Sequence, residues 1–378
     1  MIISEDYVKK SEQEMLGLLK ELCAIPAPSH HEERRAEFCR DWLARQGAEG
    51  VYIDTALNTV YPVNCEGRDD IVVFMAHTDT VFPDLEPMPW REDEDKVYCP
   101  GVGDDTACLT VLLTVIRYIL ENKLTPKRGI LFVANACEEG LGNLKGIRQI
   151  MSDYEGRISA VYTFDGAYNR VVNCPVGSHR YLVEAETEGG HSFGKFGNKN
   201  AIVALSDLIQ RLYQVDLPVV GDSQTTYNVG TIEGGTSVNT IAQYAKMLYE
   251  YRSDNAQCLQ AMKEYFYQQV EEVRSDQVSL KVTAVGERPC MGDVDKQHLE
   301  NMVQRCQAVC EKYSGQPCRT GKGSTDANIP MSMGVPAICA GAYLGGGAHT
   351  REEWVEKASL PVGLQIAGEL ILDYFTAD

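Results

Sequence analysis

The sequence predicts an α/β protein: a mostly parallel sheet flanked by helices, with a second, inserted α+β domain. Three observations carry this reading. Apolar strand-like runs alternate with amphipathic helical stretches through residues 1–175. The middle of the chain then reads strand–helix–strand–strand–helix–strand, the ferredoxin-like order. After that the alternating pattern resumes to the end. The expected division is therefore a split domain, 1–175 with 288–378, around an insert at 176–287, with Gly286-Glu-Arg-Pro289 as the hinge back. A chain of 378 residues is long enough to bury two cores.

Taken in order, residues 6–22 and 31–46 read as amphipathic helices. Ser29-His-His-Glu-Glu33 looks like a capping-type start for the second. Short β-rich runs follow at 51–54, 58–64 and 70–76. Residues 106–120 are strongly apolar and helical. Residues 130–135 form a strand that runs into Cys137-Glu-Glu-Gly140. A helix near 143–151 precedes a strand near 159–164, which stops at Asp165-Gly166. In the insert, strands are expected at 181–186, 227–233, 245–251 and 278–284, and helices at 200–213 and 255–273. A helix from about 295 to 312, a strand at 336–340 and a helix at 359–375 complete the pattern.

Composition narrows the function. A net charge of −19 argues against nucleic acid or an anionic membrane as partner. The 13 cysteines include no Cys-x-x-Cys pair, and Cys23, Cys108, Cys137 and Cys339 sit in apolar runs. They read as small buried hydrophobes, and Cys306 and Cys310, one helical turn apart, as packing. A reducing compartment follows. The N-terminal residues lack a signal-peptide pattern, and no run approaches the ~18 apolar residues of a membrane span. The cytoplasm is the expected location.

The chemistry-bearing residues follow predicted strands. Ile71-Val-Val-Phe-Met-Ala-His-Thr-Asp79 is a buried run that ends in His77 and Asp79. In open α/β sheets, sites form just past the carboxyl ends of strands. A His and an Asp can also simply cap the next element. Asp104 and Asp105 lie in Gly101-Val-Gly-Asp-Asp-Thr106, before an apolar helix. There one Asp can serve as N-cap and the other as a ligand. Glu138 and Glu139 are adjacent carboxylates that repel unless a cation or proton intervenes. Being neighbours, they point in different directions, so one can bind metal while the other faces water. The alternative is a solvated loop tip. Asp165 ends a strand, where a plain turn with Gly166 is the alternative. His349 lies in Gly345-Gly-Gly-Ala-His-Thr350, whose glycines allow close backbone approach.

Each signal is weak alone; their joint order is specific. His-x-Asp, Gly-x-Gly-Asp-Asp, Glu-Glu-Gly, Asp-Gly and Gly-Ala-His-Thr follow one another along the chain. In this the sequence resembles the dinuclear-zinc exopeptidases and N-acyl-amino-acid deacylases. That family includes peptidase T, carboxypeptidase G, acetylornithine deacetylase and succinyl-diaminopimelate desuccinylase. The resemblance covers nearly the whole chain and is closest to the peptidase T-like group.

It implies a zinc-exopeptidase-like catalytic domain, with the insert as a lid and dimerisation domain. Two Zn2+ ions per subunit are implied, with Co2+ or Mn2+ as substitutes. Asp104 would bridge them, His77 and Asp165 completing one and Glu139 and His349 the other. Asp79 would orient the His77 imidazole. Glu138 would be general base and then acid. In Gly189-Gly-His191-Ser192, His191 resembles the lid histidine, which in related dimers reaches the partner's site and stabilises an oxyanion. Asn239 and Arg252 resemble the contacts to a substrate carboxylate. Gly323 and Ser324 resemble the start of a loop offering backbone donors to the same group. One departure stands out: where family members often have Lys after the Asp pair, this chain has Thr106. The implied activity is hydrolysis of short peptides, of aminopeptidase, tripeptidase or dipeptidase type. Adjacent Asp104-Asp105 and an aspartate at 165, where many deacylases place Glu, lean that way. The alternatives are an N-acyl-amino-acid deacylase or carboxypeptidase, and a non-catalytic peptide-binding homologue.

Overall fold

The computed structural model describes residues 1–376 as two compact units. One comprises Met1–Pro175 and the segment from Gly292 onward; the other is Val176–Met291. The second unit thus runs past Glu287 to Met291.

The first unit is built on an eight-stranded mixed sheet. Its strand order is Tyr52–Ile53, Thr59–Val63, Ile130–Asn135, Ile71–His77, Ile158–Phe164, Ala337–Ala340, Arg170–Pro175 and Arg319–Gly323. Its centre is parallel: Ile71–His77 lies between Ile130–Asn135 and Ile158–Phe164 and runs with both. Both central strands Ile71–His77 and Ile130–Asn135 are buried at every residue. Sheets covered on both faces need such continuous apolar runs, so these strands show no alternation. Helices Glu5–Cys23, Cys108–Glu121 and Ser359–Leu372 pack on one another and bury their apolar faces. Helix Ser359–Leu372 lies so close to the preceding loop that a Cβ on Gly363 would fall 1.7 Å from the Ala342 carbonyl oxygen.

Several local expectations change. The helix Glu33–Arg45 has Glu32 at its N-cap with no side-chain capping bond. Ser29, expected as a cap, instead donates to Asp79 at 2.6 Å. The segment Val102–Ala107 forms an irregular turn, and the regular helix starts at Cys108, not Thr106. The last helix stops at Leu372; Phe375–Thr376 then pairs with Thr125–Pro126. Strands Arg170–Pro175 and Arg319–Gly323, and a small sheet of Gly345–Gly346, Trp354–Glu356, Lys96–Tyr98 and Arg91–Glu92, escaped the sequence reading. They are short, half-exposed or glycine-rich, so they carry little apolar period.

The second unit is a four-stranded antiparallel sheet backed by two helices, in the expected chain order. The strands stand in the order Thr225–Gly234, Tyr244–Ser253, Gly177–Thr187 and Val278–Arg288. Strand Tyr244–Ser253 alternates buried and half-buried residues along its length, which places Tyr249 and Tyr251 in the core. Helices Ala201–Leu212 and Ala256–Val273 cover that face, and Tyr181 stacks on Phe266 at 4.4 Å. Asn200 and Asn255 cap both helices through their side-chain oxygens. The unit's first and last strands pair directly, with Ser178 opposite Arg288. Among the described residues no helix is long and apolar enough to cross a membrane.

Candidate metal centre

The three parallel central strands end side by side. His77 pairs in register with Asn135, and Met75 with Thr163. Two residues beyond Met75 and Thr163 stand His77 and Asp165. Beyond Asn135 the chain turns through Cys137, at φ 58°, to deliver Glu138 and Glu139. The irregular Val102–Ala107 turn brings Asp104 to the same edge.

His77, Asp104 and Glu139 present ligand-type atoms that all lie within 4.8 Å of one another. The Asp104 carboxylate stands between two imidazoles: Oδ1 is 3.1 Å from His77 Nε2, and Oδ2 is 3.1 Å from His349 Nε2. The same His349 nitrogen is 3.3 Å from Glu139 Oε1. His349 is set at φ 65° after its glycines, and its side chain is 57% exposed, whereas His77 and Glu139 are buried. Asp165 stands outside the close trio but within electrostatic reach of Asp104, His77, Glu138 and Glu139.

The protonation pattern follows. Burial alone would lower the His77 imidazole, but hydrogen bonds to Asp104 and Asp79 outweigh it and push it well above the ordinary range. His349 is pushed up to about 10 by its bonds to Asp104 and Glu139. Asp104 is the reverse case: burial would raise it, yet both imidazoles hold it well below the carboxylate range. Burial and the neighbouring carboxylates Asp104 and Glu138 raise Glu139 to about 7, although His349 opposes them. Asp165 is also held well above the carboxylate range, by burial first and then by Asp104. Such a set of imidazoles and mutually repelling carboxylates fits a multivalent cation. Nitrogen and oxygen donors suit zinc, cobalt or manganese.

Asp79 sits behind this cluster, fully buried. Its Oδ1 lies 3.3 Å from His77 Nδ1. It also accepts the Glu138 N–H at 2.9 Å, the Glu139 N–H at 3.0 Å and the Ser29 hydroxyl at 2.6 Å. Asp105 is not a helix cap. Its Oδ2 accepts the His77 N–H at 3.0 Å, because the irregular turn aims it back at the strand end.

The second unit carries His191, Asn239 and Arg252. The short strand Gly190–His191 pairs with Thr240–Ile241, and Ser192 N–H donates to the Asn239 carbonyl at 2.9 Å. His191 and Asn239, far apart in sequence, are therefore neighbours. His191 is exposed, and its Nδ1 accepts from Phe193 and Gly194 N–H, each at 3.3 Å. Arg252 is engaged within its own strand, where its Nε and Nη2 donate to the two Glu250 carboxylate oxygens at 3.0 and 3.2 Å. In the first unit, Gly323 closes an edge strand opposite Pro175. Beyond Ser324, the Thr325 N–H is spent on Asn328 and the Ala327 N–H on the Thr325 hydroxyl.

Four residues near the centre were missed. Glu353 is buried and bonds the backbone of the Asp104 loop. Asp326 is buried, receives Asn135 Nδ2 at 2.6 Å and is raised to about 8 by burial and then by Glu138. Arg35 is buried and donates to Ile25, Thr78 and Thr106. Ser29 supports Asp79. Asp326 carried a signal, since it closely follows Gly323 and Ser324, the start of a loop that the sequence singled out, while Ser29 was read as a helix cap.

Comparison with known proteins agrees with this architecture. A tripeptidase from Staphylococcus aureus superposes with a TM-score of 0.73 at 21% identity, covering 95% of this chain and 97% of that one. A dinuclear metal-binding peptidase from Bacillus subtilis gives 0.66 at 14% identity, covering 97% and 99%. By sequence, a succinyl-diaminopimelate desuccinylase from Corynebacterium glutamicum is 26% identical over 345 residues, 89% of this chain and 90% of that protein. The sequence model of peptidase family M20/M25/M40 matches residues 73–373, a span that takes in the whole metal cluster, and this chain belongs to that family of metallohydrolases.

Proposed function

We propose that the chain is a cytoplasmic zinc exopeptidase acting on short free-amine peptides, of the aminopeptidase, tripeptidase or dipeptidase type. The observation that carries it is Asp104 standing between two imidazoles with Glu138 one residue from Glu139. Likeness to a tripeptidase supports the substrate class. Free thiols at every cysteine support a reducing compartment.

Two divalent cations would be held by His77 and Asp165 on one side and Glu139 and His349 on the other, with Asp104 between; when bound they supply Lewis acidity to the scissile carbonyl and to water. Glu138 takes the proton of the attacking water and passes it to the leaving nitrogen. The C–O bond forms first, leaving a tetrahedral oxyanion; its collapse breaks the C–N bond and gives a carboxylate and a free amine. Asp79 fixes the His77 tautomer and, through two N–H bonds, the backbone that carries Glu138. In the dimer His191 reaches the partner subunit's site and donates from Nε2 to the oxyanion there, since its Nδ1 already accepts two N–H groups. Arg252, exchanging Glu250 for substrate, and Asn239, with Gly323 and Ser324, receive the substrate carboxylate. The molecule is a homodimer through its second unit. There Phe193 and Phe196 are 90% and 91% exposed, and Thr225–Gly234 is an end strand of its sheet.

The deciding experiment is a screen of short free-amine peptides against N-acetyl and N-succinyl amino acids, with zinc, manganese or chelator added. Cleavage of peptides that chelation abolishes is expected. Turnover of acylated amino acids alone would overturn the peptidase reading in favour of a deacylase, the second reading favoured by the desuccinylase relative.

A further inference from the structure

We propose that Glu353 is a positioning residue for the metal centre: its carboxylate holds the loop that carries Asp104 in register with His349. The inference rests on the metal-centre reading above. Glu353 is 1% exposed. Its Oε2 accepts the Gly101 N–H at 2.6 Å, and its Oε1 accepts the N–H groups of Gly103 and Asp104 at 3.0 and 2.7 Å. These bonds cross about 250 residues of sequence.

A buried carboxylate beside the Asp104 carboxylate costs desolvation and repulsion, and backbone donors are what offset them here. An uncharged side chain would fill the same space without that cost. What the carboxylate adds is geometry: two acceptor oxygens on one planar group hold three N–H donors of the loop at once. The other faces of the loop are already hard walls. A Cβ on Gly101 would lie 2.6 Å from Thr80 Cγ2, and one on Gly103 would lie 2.7 Å from the Tyr343 hydroxyl. Glu353 supplies the polar face of this vise. Its own backbone is anchored, because the Cys99 N–H donates to its carbonyl at 3.2 Å and strand Trp354–Glu356 pairs with Lys96–Tyr98. His349 lies on the same short segment, and its Nε2 meets Asp104 Oδ2 at 3.1 Å. One segment therefore delivers a ligand and also braces the loop of the next.

The test uses the full-length protein, with zinc affinity measured by competition against a chromophoric chelator and the visible spectrum of the cobalt form. Glu353→Gln is expected to weaken metal binding about 10–100-fold and to alter the cobalt bands. Glu369→Gln, a buried carboxylate on the last helix, serves as the control: it should lower the melting temperature and leave zinc affinity alone. Should Glu353→Gln fail to fold, Glu353→Asp keeps the charge but withdraws it by one methylene, and the same weakening is expected. Wild-type affinity and cobalt spectrum in whichever variant folds would overturn the inference, whatever its melting temperature. A wild-type protein that binds no metal would remove the metal-centre reading as well, so the two failures are distinguishable.

Discussion

The Asp79 carboxylate meets the His77 ring on one side and the backbone N–H groups of Glu138 and Glu139 on the other. A ligand and the proposed base therefore share one support. Removing the base alone should leave that support intact. Glu138→Ala is expected to keep its metal content by elemental analysis while turnover falls about 10²–10⁴-fold, the usual scale for a positioned proton carrier. Near wild-type turnover would move the role to another group. At this scale the sequence was readable where a residue type is chemically costly. A histidine ending a buried strand and two adjacent carboxylates announce themselves. Glu353 and Arg35 do not, because each stands in a charged stretch, beside Glu352 and beside Arg34, where the residue that faces water and the one folded inward look the same. Asp105 shows the same limit: its capping chemistry was visible, but the irregular turn that redirects it was not.

Among the elements, long periodic ones were legible and short ones were not. The buried strands at 71–77 and 130–135 and the second unit's alternating strands carry clear apolar patterns. The two-residue strands depend on partners brought by the rest of the fold, so nothing local marks them. Close packing is equally silent in sequence. Gly363 sits inside a helix, where alanine would ordinarily gain about 1 kcal/mol. Here the added Cβ would meet the Ala342 carbonyl oxygen at 1.7 Å, closer than any real contact, and backbone must shift. Overpacking of this kind costs about 1–3 kcal/mol and should win. Gly363→Ala is therefore expected to lower the denaturation midpoint in urea with an unchanged slope; a raised midpoint would show that the helix slides freely.

Across the whole molecule, stability and assembly lead to two further expectations. Burial raises the Glu369 carboxyl, but hydrogen bonds from Lys312 and Tyr313, each at 2.5 Å, and from Arg305 at 2.9 Å outweigh it and hold it below the usual range. A depressed folded value means the stabilisation is present above the unfolded value and is lost as pH falls through the folded one. Glu369→Gln should thus cost about 1–2 kcal/mol near neutrality, modest because Arg305 and Lys312 remain partly exposed, and the gap from wild type should close in acid. A gap that widens in acid, in parallel melts across pH, would reverse the assignment. For assembly, sedimentation should show a dimer that Phe193→Asp with Phe196→Asp converts to monomer; a monomeric wild type would end the dimer proposal. Finally, the second unit begins and ends on paired strands, with Ser178 beside Arg288. Its two seams with the rest of the chain meet at a single doorway. A segment whose two ends lie side by side can be inserted, exchanged or removed at one point of the chain while the strand order of the central sheet stays the same.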